Sequence, residues 1–288
     1  MQKKKRFLII LLLLSANFSL WADEQEKHEF TLGGMIGYSA FKLKTDLLKP
    51  TGGVLTGYNY FFNDIMGIST GLGWTHYQWR LSTDAFSDSY LSHDGEEPFE
   101  FRVSFTGYKE DYTTAYLIIP LALRLQYPLF SDENLTYFSI GGKANFPLRS
   151  HVNTSGTTFT TSGYYPAYDI VLETPESQGF GTFTSGKQSM SRSLRTMWTL
   201  SAEAGMKWDF APQLALYAGL YVDYALNGIS NEKGKTFLEY NRDDPTNWSF
   251  NSMLNARYTQ EGKTHKFVNR TSPFAVGIVI RIAFKLPE

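Results

Sequence analysis

The sequence predicts an all-β fold: an eight-stranded antiparallel up-and-down transmembrane β-barrel with long extracellular loops. Three observations predict it. Segments of alternating apolar and polar residues recur along the chain, the connections between them alternate between short and very long, and the polar face of each segment carries small residues with a few charges. Successive strand side chains point to opposite faces. An apolar face toward lipid and a small, polar face toward the interior is the pattern of a membrane-spanning strand.

The chain begins Met1, Gln2, Lys3, Lys4, Lys5, Arg6, runs apolar from Phe7 to Leu14 and reaches Ala22. This reads as a secretory signal peptide over residues 1–22, leaving 23–288 for the barrel. Its apolar core is shorter than the ~20 residues a spanning helix needs, and no later run is longer. The four cations of the leader take the formal net charge from −1 to −5 when they are removed, so nothing points to a nucleic-acid partner. The absence of cysteine excludes a disulfide framework, a thiolate metal site and the acylated cysteine of a lipoprotein. Aromatics make up 16% of the chain while mean hydropathy is slightly negative, a combination in which barrels escape a search for apolar runs.

The period-2 signal places strands at 29–41, 52–62, 65–80, 112–127, 135–149, 196–210, 213–224 and 273–285. The last sets Phe274, Val276, Ile278, Ile280, Ile282 and Phe284 against Ala275, Gly277, Val279, Arg281, Ala283 and Lys285. The sixth sets Trp198, Leu200, Ala202, Ala204, Met206, Trp208 and Phe210 against Thr199, Ser201, Glu203, Gly205, Lys207 and Asp209. In the seventh, Leu214, Leu216, Ala218, Leu220, Val222 and Tyr224 oppose Ala215, Tyr217, Gly219, Tyr221 and Asp223. The fourth alternates Leu117, Ile119, Leu121, Leu123 and Leu125 with Tyr116, Pro120, Arg124 and Gln126, although proline removes a ladder donor and marks an edge or bulge. The second strand alternates poorly, and its register is open.

Turns near 63–64, 131–134 and 211–212 are short, whereas the connections near 81–111, 150–195 and 225–272 far exceed ordinary loops. Trp198 and Trp208, like Phe274 and Phe284, stand about ten residues apart on one face, which at ~3.3 Å per residue and a ~40° tilt spans roughly 25 Å, the height of an apolar band between aromatic girdles. Trp74, Trp198, Trp208, Phe210, Phe274 and Phe284 form the expected girdle.

The polar face holds Gly33, Gly37, Gly67, Ser69, Gly71, Gly73, Gly141, Gly205, Gly219 and Gly277. Glycine weakens a strand in water, but the interior of an eight-stranded barrel is narrow enough to require it. Arg124, Lys143, Glu203, Lys207, Asp223 and Arg281 share that face and are expected to form a polar network in the lumen, because an enclosed lone charge costs several kcal/mol. The expected arrangement puts Glu203 between Lys143 and Arg281 or Arg124, with Asp223 and Tyr221 nearer the outer mouth. A lumen crowded by Tyr116, Tyr137, Tyr217 and Tyr221 leaves no general pore.

The run Tyr116, Leu117, Ile118, Ile119, Pro120, Leu121 resembles the Tyr-Leu-x-Ile-Pro-Leu signature in the fourth strand of PorT-like outer-membrane β-barrels. The glycine-rich third strand running to Trp74 and the closing strand ending at Phe284 are similar to that family and to the wider OmpA-, OmpX- and OmpW-like group. The resemblance covers the barrel and not the loops. It implies the outer membrane of a Gram-negative bacterium, with outer-membrane lipid around the barrel and the barrel-assembly machinery as a partner in biogenesis. Family members usually end near an aromatic residue, whereas here Lys285, Leu286, Pro287 and Glu288 follow Phe284.

Extracellular loops and periplasmic termini follow from a secreted N-terminus and short turns on its side. No cofactor, metal site or catalytic residue is expected. Ser92, His93 and Asp94 are consecutive in a polar loop, which suits a turn better than a triad. His28, His151 and His265 are isolated in sequence, His76 reads as interfacial, and Glu239, Asp243 and Asp244 read as solvated loop charge. The long connections are richly aromatic, and 100–106 and 257–269 include β-like stretches, so they are expected to be ordered or binding. The expectation is a monomeric, non-enzymatic barrel whose loops bind a protein or glycan for adhesion or envelope contact. The alternatives are an accessory barrel of a secretion or envelope-assembly system and a lipid-modifying enzyme.

Overall fold

In the computed structural model of the chain, which describes residues 27–41, 48–129, 131–231, 234–260, 262–268 and 272–286, eight strands close into one antiparallel ring. The expected signal peptide lies outside the described residues. The barrel strands are β1 (His28–Ala40), β2 (Lys49–Phe61), β3 (Met66–Thr83), β4 (Tyr108–Leu129), β5 (Ser131–Thr154), β6 (Met197–Ala211), β7 (Leu214–Ala225) and β8 (Phe274–Lys285). Each pairs with its neighbours in sequence, and β8 returns to β1 from Glu29 opposite Lys285 to Ala40 opposite Phe274. No barrel strand is left with a free edge.

The faces follow the alternation. On the outside, Leu121, Ile278 and Trp198 are 57%, 47% and 55% exposed. Inside, Tyr116, Tyr137, Tyr217 and Tyr221 are buried. Many large apolar side chains of the barrel strands are thus turned outward and exposed, an arrangement that water penalises and hydrocarbon does not. Among the described residues no helix is long and apolar enough to cross a membrane.

The second strand's poor alternation has a packing cause. Leu55 points inward and is buried, and its partners on either side are Gly33 on β1 and Gly73 on β3. A Cβ at Gly73 would stand 2.3 Å from the Leu55 side chain. One large residue fills the lumen there because its two neighbours have none. Pro120 also finds its explanation: the β3–β4 ladder omits Gly71 and Leu72 opposite it, while the Thr70 hydroxyl donates to its carbonyl at 3.0 Å. Its other side stays in register with Lys143 of β5.

Strands β3, β4 and β5 run past the boundaries expected for them, so the two ends of the connection placed at 81–111 and the start of that at 150–195 are barrel wall. Thr83 still pairs with Tyr108, and Glu110 with Thr154. Their outward residues turn polar while strand pairing continues, so the lipid-facing signature ends before the strand does. Above this tall side a second antiparallel sheet is ordered Gly181–Ser185, Thr157–Tyr165, Pro98–Phe105, Phe86–His93, with Ile170–Leu172 pairing at the end of Thr157–Tyr165. The last long connection packs on its inner face.

Close approach of neighbouring backbones explains the paired glycines. Gly37 faces Gly277 across β1 and β8, and a Cβ at Gly277 would lie 2.1 Å from the Ile36 carbonyl oxygen and 2.6 Å from the Gly37 Cα. Gly277→Val is therefore expected to abolish refolding into detergent micelles, read as loss of the heat-modifiable band on electrophoresis. Gly142→Ala, whose Cβ would meet nothing closer than the Thr199 carbonyl oxygen at 3.6 Å, should refold as the unaltered protein does.

Candidate functional site: the lumen network and the loop module

Three of the ion pairs that face the lumen are stacked along it, besides that of Lys285 with Asp209 at 2.9 Å. Near the short-turn end, Lys207 on β6 donates to Glu29 on β1 at 2.6 Å, and Glu29 also accepts from the Tyr217 hydroxyl at 2.6 Å and from Asn59 at 3.1 Å. At mid-height, both terminal nitrogens of Arg281 on β8 donate to Glu203 on β6 at 2.5 Å, and the Tyr137 hydroxyl adds a third bond at 2.6 Å. Higher, Lys143 on β5 donates to both oxygens of Asp223 on β7 at 2.8 Å, while Tyr77 of β3 donates to the same carboxylate at 3.3 Å. Bidentate, charge-assisted bonds of this kind are the strong class.

The structure brings Glu203 to Arg281 and corrects the placement of Lys143 beside Glu203. The antiparallel register is the reason. Glu203 is level with Ser139 on β5, four residues along from Lys143, whereas Asp223 is level with Ser201 and hence Gly141, only two residues away. Arg124 lies in the Glu203 row, over the rings of Tyr217 and Tyr137 at 4.9 and 5.1 Å. Sequence reasoning missed Glu29, although the alternation Glu29, Thr31, Gly33 already marks it as inward-facing.

The expected girdle residues stand outside the ring. Trp74, Trp198, Phe210 and Phe284 are exposed, and Trp208 and Phe274 are half-buried against their neighbours. His76 stacks on Trp74 with ring centres 6.2 Å apart. Ser92, His93 and Asp94 form a turn: Gly95 N–H donates to His93 Nδ1, and the Asp94 carboxylate accepts from the backbone of Glu96 and Glu97 and from Tyr165. Glu239 is bound by Asn251, while Asp243 and Asp244 sit in an Asn241-capped turn. Among the described residues no group of three or more metal-ligating side chains converges.

The second sheet and the last connection share one aromatic core. Phe237 lies among Phe86, Phe105, Tyr108, Phe250 and Phe267 with ring centres 4.9 to 5.5 Å away for four of them and 5.8 Å for Phe250. Polar anchors fix this packing. Tyr90 donates to the Leu238 carbonyl at 2.9 Å and accepts from Tyr240 N–H at 2.8 Å, and Asp88 accepts from Thr259 N–H at 2.6 Å. On β4, well above the apolar stretch that begins at Leu117, the Glu110 carboxylate is buried against Ser252 and Met253 of the last connection. It accepts from Met253 N–H at 3.1 Å and from Tyr112 at 2.7 Å, while Tyr112 and Ser252 hydroxyls contact one another. Burial pushes its pKa up to about 7, against the Tyr112 and Met253 hydrogen bonds and the positive charge of Arg192.

The opposite face of the second sheet is a carpet of hydroxyls. Ser87, Ser104, Thr160 and Thr182 form one cross-strand row, and Ser89, Arg102 and Ser162 the next. Ser87 bonds Ser104 at 3.0 Å and Thr160 bonds Thr182 at 3.1 Å. Arg102 lies over the Tyr164 ring at 4.7 Å and donates to Glu100 at 2.8 Å.

Residues 21–231 match the family model described as an outer membrane protein beta-barrel domain. The chain belongs to that family. It is an outer membrane β-barrel protein, with the Gram-negative outer membrane as its location. Among solved structures it is similar to Neisserial surface protein A at 9% identity, covering 90% of this chain and 97% of that one, with a TM-score of 0.39. It is also similar to Ail, the attachment invasion locus protein of Yersinia pestis, at 12% identity over 91% and 99% of the two chains with a TM-score of 0.32. The N-terminal beta-barrel domain of Pseudomonas aeruginosa OprF matches at 11% identity over 90% and 98%, with a TM-score of 0.31. No curated protein matches the chain.

Glu203→Gln leaves the Arg281 charge enclosed without its partner. It is expected to cost roughly 3–5 kcal/mol in reversible unfolding from lipid vesicles, with Glu203→Gln/Arg281→Met recovering most of that loss. At Glu110, the unfolded chain gives up its proton near 4.5 and the folded chain near 7. Stability carried by this anchor is therefore full below about 4.5 and falls as pH rises through 7. Hydrogen-exchange protection of the Met253 and Leu254 amides should drop from pH 5 to pH 8, and Glu110→Gln should keep the pH 5 protection at both.

Proposed function

We propose that this barrel is a surface-display protein, which holds its folded loop module outside the cell for adhesion or for binding a protein or glycan of the envelope or host. The supporting observation is that the long connections are built as a second sheet with its own aromatic core, continuous with the tall wall of β3, β4 and β5. Slack linkers need no such core. A rigid module on a rigid stem presents a binding face at little entropic cost. The hydroxyl carpet, with Arg102 between Ser89 and Ser162 and paired with Glu100, supplies hydrogen-bonding groups without a dominant charge, which suits a neutral, hydroxyl-rich partner.

In this reading the short turns and both chain ends lie in the periplasm, the loops face outward, the protein works as a monomer, and no reaction is catalysed. Ser92, His93 and Asp94 serve a turn, and Glu239, Asp243 and Asp244 are engaged by Asn251 and Asn241 of their own loop. A second reading, an accessory barrel of a secretion or envelope-assembly system, draws on the PorT-like run from Tyr116 to Leu121. The gap opposite Pro120 gives that run a structural use.

Thr160→Glu with Thr182→Glu charges the exposed hydroxyl row without touching the aromatic core, so the barrel should fold and reach the surface unchanged. Attachment of cells carrying the variant to host cells or to immobilised envelope glycans should fall to the level of a deletion strain. Unchanged attachment in both the variant and the deletion strain, together with loss of cargo secretion on deletion, would replace the display role by the accessory one.

A further inference from the structure

Counting charge along the lumen leaves one cation over. Between the two girdles the described inward residues include the carboxylates Glu29, Glu203, Asp209 and Asp223, which are met at ion-pair distance by Lys207, Arg281, Lys285 and Lys143 respectively. Arg124 is the fifth cation and forms no ion pair among the described residues. It is 2% exposed, and its Nε and Nη1 have no hydrogen-bond partner there. Glu203, in the same cross-strand row, is already taken by two nitrogens of Arg281 and by Tyr137.

Arg124 lines a cavity of about 50 Å³ whose other charged residues are Lys143, Arg281 and Glu203, with Thr31, Ser69 and Ser139 among its hydroxyls; three cations against one carboxylate leave the cavity net positive. That volume exceeds what a single water occupies and admits one ion of chloride size or a few waters. The Tyr137 and Tyr217 rings offset part of the charge. The Tyr217 hydroxyl also engages the guanidinium, but Nε and Nη1 stay without a partner, and leaving such donors unmet on a buried charge is costly.

We propose that this cavity is a binding site for a small monovalent anion of chloride size, held by Arg124 Nε–H and Nη1–H with the Ser139 and Thr31 hydroxyls available as further donors. The ion completes the lumen's charge balance and locks β4 to the opposite wall. Such a site is a counterion site inside a closed barrel, separate from the binding face of the loop module.

Bromide is the probe. Crystals of the detergent-solubilised protein grown with sodium bromide in place of chloride should show an anomalous peak within roughly 3.5 Å of the Arg124 guanidinium, and Arg124→Met should abolish that peak while leaving the heat-modifiable band. Exchange of chloride for gluconate at constant ionic strength should lower the unfolding temperature of the unaltered protein and leave that of the variant unmoved. Water density without anomalous signal in the unaltered protein, or a peak unchanged in the variant, would overturn the assignment. The unaltered protein's map decides alone should the variant fail to fold.

Discussion

Ring closure is the constraint on which the rest of this molecule depends. Backbone groups in hydrocarbon have no water to bond, so each must find a partner in the protein, and a strand with an open edge is excluded. Eight strands satisfy that requirement with the pairing of β8 to β1. They also enclose a lumen too narrow for ordinary side chains at every inward position. The paired glycines, the lone Leu55 between Gly33 and Gly73, and the edge-to-face tyrosines are consequences of that single geometric fact. Even Pro120, which has no amide proton to give, is accommodated where the β3–β4 ladder leaves out two residues.

Enclosure sets the electrostatics as well. Charges that face inward lose water, and each carboxylate of the lumen is matched by a cation from a different strand. Glu29 and Lys207 are separated by 178 residues, and Glu203 and Arg281 by 78. These pairs tie β1 to β6 and β6 to β8 across the interior, where no backbone ladder reaches. Their worth lies less in net attraction, which desolvation largely offsets, than in making any other strand order leave charges unmatched.

At the loop end the governing force changes from hydrocarbon to water. Once β3, β4 and β5 rise above the apolar band, their inward aromatic residues still require cover, and the last connection supplies it through Phe237, Phe250 and Met253. Glu110 anchors that cover from the barrel wall. The loop module is thus continuous with the lumen core through Tyr112 and Tyr116, one packed column from barrel to loop module.

The sequence by itself determined the strand count, the faces and the small-residue lumen, because strand alternation is local and survives without knowledge of partners. Trp198 outside and Glu203 inside are legible from neighbours one and two positions away. Tertiary structure alone decided which charges meet: Lys143 reaches Asp223 and not Glu203 because of inter-strand register, which no single strand encodes. It also decided the fate of the long connections. The aromatics of 86–105 and 237–267 carry no lipid-facing pattern, and only bringing together segments more than a hundred residues apart shows that they build one core. Periodicity reports the environment of a strand, whereas partners separated along the chain are chosen by closure of the whole ring.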